Sequence, residues 1–198
     1  MEQEYKWSIS EEKIKNIINS EFVTQYIINE FKIDMEAIYY DDINGTIKKI
    51  KGALRKRKQN ENTICCLKIE RKSNNNCKKR KEYEIEEDDI YKALEQFPNI
   101  GAPRELCEKR RREKLIELCI LKFYRNAYEL KIKENCMLEL AFDKGIMIKR
   151  EKKQDFIEIE LELKAGDERS FHIYAKQLES KFNLKTQPLS KIARAMKL

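Results

Sequence analysis

Alternation of apolar and polar residues runs through most of the chain, and it gives way to helical spacing in a few places. Residues 2–7 alternate as a short strand. Ser8 and Glu11 then have capping-box spacing, and Ile14, Ile17, Ile18 and Phe22 follow at helical intervals, which predicts a helix starting after Ser8. A segment ending in Ala37-Ile38-Tyr39-Tyr40 reads as a strand, and residues 41–46, Asp-Asp-Ile-Asn-Gly-Thr, read as a turn. Residues 53–58 and 63–71 are strands placed to pair as a hairpin, Asn74-Asn75-Asn76 is a loop, and residues 80–86 alternate again. Asp88-Asp89 starts a helix carrying Ile90, Ala93, Leu94 and Phe97, and Pro103 suits the first position of another. Strands are expected near 117–131, 136–142 and 145–150, the plainest one at 156–164, and helices near 172–182 and 188–197, the last with Pro188 early. No internal repeat and no linker divides the chain, so residues 1–198 are expected to form one domain.

Composition narrows the classes. Hydrophobic residues make up 41% of the 198, too many for a disordered segment. Charged residues make up 39%, against about 25% in ordinary domains. With 42 Lys and Arg against 35 Asp and Glu the net charge is +7. Neither G-x-x-x-x-G-K nor G-x-G-x-x-G occurs, which excludes P-loop and dinucleotide-binding readings. The opening MEQEYKWSIS is charged and has no apolar core, so no secretory signal is expected, and no run reaches the roughly 20 apolar residues of a membrane helix. Six cysteines without a C-x-x-C, and the single His172, argue against zinc; they fit reduced thiols in a cytoplasmic protein.

The charges sort by strand face. Glu2, Glu4 and Lys6 share one face, and Glu158, Glu160, Glu162 and Lys164 share another, opposite Ile157, Ile159, Leu161 and Leu163. Arg55 pairs with Arg57 in this sense, Arg80 with Glu82 and Glu84, and Glu139 with Asp143. An antiparallel sheet with one solvated face explains any one such strand. Carboxylates stacked along a strand repel unless cations sit among them, and here the signs segregate between strands. A barrel with apolar residues outside, under the helices, and charges inside accommodates this. Its interior suits a polyanion carried with divalent cations.

An ordered set of motifs then resembles the CYTH-domain superfamily, the triphosphate tunnel metalloenzymes. Glu2-x-Glu4-x-Lys6 resembles its E-x-E-x-K signature. Tyr39-Tyr40-Asp41-Asp42 resembles Y-Y-D-T with Asp42 for Thr, Gly52 to Arg57 resembles G-x-x-L-R-x-R, and Cys66-Leu67-Lys68 resembles T-L-K with Cys for Thr. Arg80-x-Glu82-x-Glu84, Phe123-x-Arg125, Glu139-x-Ala141-x-Asp143-x-Gly145, Glu158 to Lys164, and Ser190-Lys191-x-x-Arg194 complete the series. The resemblance implies an α+β fold: an eight-stranded antiparallel β-barrel tunnel with a charged interior and helices packed outside. It implies hydrolysis of a triphosphate with Mg²⁺ or Mn²⁺, most simply inorganic triphosphate to pyrophosphate and phosphate. The partner is then inorganic triphosphate or a nucleoside triphosphate. Class IV adenylate cyclase and thiamine triphosphatase are alternatives in the fold, and a binding module without turnover is the alternative of another class.

On that resemblance Glu2, Glu4, Glu158 and Glu160 are metal ligands, with Asp143 and Glu162 as further candidates. Lys6, Arg55, Arg57, Lys68, Arg80 and Arg125 form the phosphate clamp. Glu4, Glu160 and Lys191 are the catalytic candidates, Lys191 pointing into a tunnel mouth plugged by the last helix. Arg110-Arg111-Arg112 is interleaved with Glu108 and Glu113 and reads as a solvated helix face, so no specific nucleic acid is expected, and no membrane. Tyr5, Trp7 and Tyr83 lie opposite the charges and belong to the outer core; no inward aromatic platform for a base is evident. Removing one of several like charges, as in Glu160→Gln, is expected to leave stability unchanged or higher.

Overall fold

A computed structural model describes residues 2–71 and 78–198. In chain order the elements are β1 (Glu2–Ser8), α1 (Glu11–Ile18), α2 (Glu21–Thr24), β2 (Ile27–Asp42), α3 (Thr46–Lys49), β3 (Gly52–Gln59), β4 (Asn62–Arg71) and β5 (Lys78–Glu86). They continue with α4 (Ile90–Gln96), a 3-10 turn (Phe97–Ile100), α5 (Arg104–Arg111), β6 (Leu115–Lys133), β7 (Cys136–Lys149), β8 (Lys152–Gly166), α6 (Glu168–Phe182), β9 (Lys185–Thr186) and α7 (Lys191–Ala195). No helix among the described residues is long and apolar enough to cross a membrane.

The strands neighbour one another in the order β5-β4-β3-β2-β6-β7-β8-β1, and β1 pairs back to β5, which closes a ring of eight antiparallel strands. The closing edge of β1 is shared. Glu2 to Glu4 face Arg80 to Lys78 of β5, whereas Trp7 and Ser8 face Thr186 and Lys185 of β9. Between them the carbonyl of Lys6 accepts the Gln187 N–H at 2.8 Å. This stitch delivers the chain into α7 at one end of the ring.

Period-two alternation decides what each face buries. Tyr5, Trp7, Leu138, Leu140, Ile159 and Leu161 point outward and pack against α1, α2 and α6. Leu54, Cys65, Leu67 and Tyr83 point outward on the other flank, under α3, α4 and α5. Full burial of a side chain such as Trp7 or Phe171 stabilises by roughly 1.5–3 kcal/mol. A third cluster differs, because Ala37, Tyr39, Leu121, Met147 and Phe156 face inward and are met by Ala195 and Ile192 of α7. The last helix therefore packs into the end of the ring, while the others cover its outside.

Several sequence expectations shift. Ser8 stays in β1 because it pairs with Glu158 and Lys185, so the cap of α1 moves to Ser10, whose Oγ accepts the Lys13 N–H at 3.5 Å. Asp41 and Asp42 are not turn residues but the buried end of β2. Asp41 accepts the N–H groups of Ile47 and Lys48 at 2.9 and 3.0 Å and so caps α3. Asp42 forms an ion pair with Arg110, which is 1% exposed; that arginine is a buried strut between α5 and β2, not part of a solvated face. The expected strands 136–142 and 145–150 are one strand, β7. Helix α6 starts four residues early because Asp167 accepts the N–H groups of Arg169 and Ser170. Helix α7 is shorter than expected and is capped by Ser190, with Pro188 ahead of it. Pro103 is the N-cap of α5. Asn74-Asn75-Asn76 and Cys77 lie outside the described residues.

Candidate active site

The ring encloses a cavity of about 510 Å³. Eleven of the residues singled out from the sequence line it: Glu2, Glu4, Lys6, Arg55, Arg57, Lys68, Arg80, Arg125, Glu160, Glu162 and Lys191. Asp143 and Glu158 lie beneath the cavity surface, both fully buried.

The carboxylates gather where β1, β7 and β8 adjoin. Asp143, Glu158 and Glu160 each offer an oxygen within 4.8 Å of the others. The Lys191 ammonium sits among them, 2.7 Å from Asp143 Oδ2, 2.9 Å from Glu160 Oε1 and in contact with Glu158. Lys6 Nζ approaches Glu160 at 2.5 Å, and Arg194 pairs with Glu158. Arg125 holds Asp143 through two bonds of 2.8 Å and reaches Glu160 at 2.6 Å. Nearer β5, Arg80 bonds Glu4 at 2.7 Å and Lys68 bonds Glu2 at 3.1 Å. Glu162 is paired with Lys164 at 3.2 Å.

This packing sets the protonation states. Burial disfavours charge on Glu160, yet Lys191, Lys6 and Arg125 outweigh it and hold the carboxyl well below its usual range. Asp143 is held low against burial by Arg125 and Lys191. Lys6 and Lys191 are pushed up, against burial, by the carboxylates around them. Glu162 behaves oppositely: burial raises it, and Glu2 and Glu139 add to the rise beyond what Lys164 offsets.

The β3 wall is different. Arg55 Nη2 lies 3.2 Å from Glu84, which stands 3.8 Å from Arg57. The Nε atoms of both arginines are buried and have no hydrogen-bond partner among the described residues. Burial, then the adjacent Arg55, pushes Arg57 down to about 10. Two crowded guanidiniums sharing one carboxylate, with donors left over, are short of an anion.

Sequence reading missed part of the lining. Ile33, Met35, Ala37 and Tyr39 of β2, with Phe123 of β6, form an apolar strip along the cavity, so inward aromatics are present. Phe123 and Phe156 both face the Lys191 ammonium, with ring centroids 5.4 and 5.8 Å away. The spacing of residues 33, 35, 37 and 39 was the available signal, although an apolar face turned inward is the reverse of the arrangement on β1 and β8. Lys51, Glu82, Glu84 and Glu139 also line the cavity. Among the described residues, seven carboxylates and nine cationic side chains line it, close to balance. A bare polyanion would meet nearly as much repulsion as attraction, whereas one accompanied by divalent cations finds partners on both walls. The all-oxygen set at Asp143, Glu158 and Glu160 fits hard cations such as Mg²⁺ or Mn²⁺.

Comparison with known proteins agrees with this fold. No curated protein matches the sequence. Among solved structures, HpAC1 from Hippeastrum, assigned as an adenylyl cyclase with a dominant triphosphatase activity, superposes with a TM-score of 0.69 at 17% identity over 100% of this chain and 96% of that one. The PH1819 protein from Pyrococcus horikoshii OT3 gives 0.61 at 18% identity over 100% and 99%. The Mimivirus capping enzyme triphosphatase gives 0.50 at 12% identity over 90% and 88%. At such identities the likeness is one of fold. The sequence profile of the CYTH domain matches residues 1–196, and this chain belongs to the CYTH domain family.

Proposed function

We propose that this chain hydrolyses a triphosphate in a metal-dependent reaction, with inorganic triphosphate cleaved to pyrophosphate and phosphate. The observation that carries the reading is the unsatisfied pair of buried guanidinium Nε atoms, Arg55 and Arg57, set in the same cavity as the carboxylate cluster. Arg55, Arg57, Lys68, Arg80, Arg125 and Lys6 bind phosphate oxygens. Asp143, Glu158 and Glu160 hold Mg²⁺ or Mn²⁺, with Glu2, Glu4 and Glu162 as further oxygen donors. A divalent cation there neutralises phosphate oxygens and lowers the pKa of bound water. Glu160, kept ionised by three cations, serves better as a ligand than as a base. Glu4 takes the proton of the attacking water. The water oxygen bonds to a terminal phosphorus as the anhydride P–O bond breaks, and Lys191 and the arginines stabilise the pyrophosphate that leaves.

The apolar strip favours a second reading, an organic triphosphate whose ring or base rests on Ile33 and Met35. The buried, unpaired thiols of the five described cysteines support a reducing, cytoplasmic setting. The test is phosphate release from tripolyphosphate, ATP and thiamine triphosphate, with EDTA, Mg²⁺ or Mn²⁺, beside calorimetric binding to Arg57→Ala. Turnover that stops in chelator, and affinity lower by about 1.5–3 kcal/mol in the variant, are expected. Turnover undiminished in EDTA refutes the metal role, and binding without turnover of any substrate identifies a binding module.

A further inference from the structure

Strand β2 outruns its neighbour. It pairs with β6 along its whole length, but β3 covers it only from Met35 to Tyr40. Asn29 to Ile33 therefore form an open edge, on which no other strand of the described residues lies. A bulge at Ile28 ends the regular edge on one side, and Asn60 ends it on the other by bonding both the N–H and the carbonyl of Asp34. Phe31 is 42% exposed, and Glu30 and Lys32 are exposed beside it. Native sheets normally cover or break such edges.

Backbone geometry says what fits. Asp34 directs its N–H and carbonyl toward the β3 side, so alternation turns those of Lys32 and Glu30 to the open edge and those of Phe31 toward β6. A second copy of the same edge, antiparallel across a two-fold axis, bonds only if even-numbered residues face one another. Centring the axis on Glu30 sets Glu30 against its own copy. Centring it on Lys32 sets lysine against lysine and needs the backbone of Asp34, already bonded to Asn60. Centring it on Phe31 sets each Glu30 opposite a Lys32, with backbone bonds at both pairs and the two Phe31 rings in the close, non-bonded position at the axis.

We propose that Asn29–Ile33 is a homodimerisation edge in which two copies pair antiparallel about Phe31, joining the two rings into one continuous sheet. The register comes from the chain's own charges: opposite signs meet in this arrangement, and like signs meet in both of its neighbours. Ile33 and Met35 line the cavity on the face that Phe31 shares, so the pairing brings the two cavity mouths to one side of the joined sheet.

The test is sedimentation equilibrium of the full chain from about 1 to about 300 µM, a span suited to a small interface. Dimers are expected in the wild type. Glu30→Lys and Lys32→Glu should each weaken dimerisation by roughly 10-fold or more, because the two-fold axis turns one substitution into two like-charge contacts. The double variant Glu30→Lys with Lys32→Glu restores opposite signs and should restore dimers. Both sites are exposed, and unchanged melting temperatures confirm that the three variants fold. A monomer at every concentration, or a dimer whose affinity ignores both single reversals, overturns the proposal, as does failure of the double variant to recover.

Discussion

The ammonium of Lys191 lies 2.7 Å from Asp143 Oδ2, and this contact ties the last helix of the chain to one of the two fully buried carboxylates beneath the cavity. Lys191→Met keeps an unbranched side chain but removes the charge that faces Phe123 and Phe156. Asp143, Glu158 and Glu160 then share fewer cations, and breaking a buried pair from one side costs about 3 kcal/mol. For a chain of this length that is a melting temperature roughly 6–12 °C lower. Mn²⁺ should raise the melting temperature of the variant more than that of the wild type, because the carboxylates no longer hold an ammonium. Equal melting temperatures without metal would mean that the pair does not form in solution.

Glu160 and Glu162 sit two residues apart on one strand and respond oppositely to loss of charge. Glu160 faces Lys6, Lys191 and Arg125, so Glu160→Gln strands three cations and should lower stability by roughly 2–4 kcal/mol, along with turnover. The sequence alone suggested relief of repulsion at Glu160; the structure moves that relief to Glu162. There burial and the charges of Glu2 and Glu139 favour the neutral acid, so Glu162→Gln should leave stability unchanged or higher at neutral pH. Urea titration of both variants distinguishes them, and a reversed order would contradict the charge map of the cavity.

The same pairs set a pH window for the metal-free protein. Asp143 and Glu160 are held below their ordinary values of 3.8 and 4.5. Their contribution is present above those values and is lost as pH falls through the depressed ones. Lys6 and Lys191 are raised above 10.5, so their contribution is present below that value and is lost only as pH rises through the raised ones. Stability should therefore be flat from about pH 5 to about pH 10 as far as these groups decide it, and fall on the acid side. In Lys191→Met the carboxylates are less depressed, and the acid fall should be shallower. Identical acid slopes in the two proteins would remove Lys191 from the linkage.

Legibility followed chemistry. Strands β1 and β8 carry charge on one face and bulky apolar groups on the other, so their inward residues stood out. Strand β2 has the reverse polarity along Ile33 to Tyr39, apolar groups inward and Asp34 and Glu36 on the other face, so its inward strip passed unseen. Asp143-Lys144-Gly145 resembled a break because Gly commonly punctuates strands. Gly145 is instead required inside β7, where a Cβ would lie 2.1 Å from the Lys122 carbonyl oxygen of β6. The burial of Arg110 was invisible too, since its partner Asp42 lies 68 positions away along the chain. Contacts of that range are written in no local pattern.

That unseen strip changes the substrate expectation. With only charges inside, tripolyphosphate should exceed organic triphosphates in kcat/KM by roughly 100-fold, about 2.7 kcal/mol of transition-state binding. The cavity in fact offers apolar contact. Two of its aromatics are already engaged: Tyr39 is 7% exposed, and Phe123 faces the Lys191 ammonium on one side and packs edge-on against Phe156. Ile33 and Met35 remain as the surface an organic group can use. Partial burial of two such side chains contributes about 1–1.5 kcal/mol, which narrows the preference to roughly 10-fold. Parallel kinetics at fixed free Mn²⁺, with products resolved by ion chromatography, measure the ratio. Met35→Ala should widen it by lowering only the organic substrates, because tripolyphosphate makes no use of the thioether. A higher kcat/KM for ATP or thiamine triphosphate than for tripolyphosphate, or cyclic AMP as a product, would pass the assignment to the organic triphosphate.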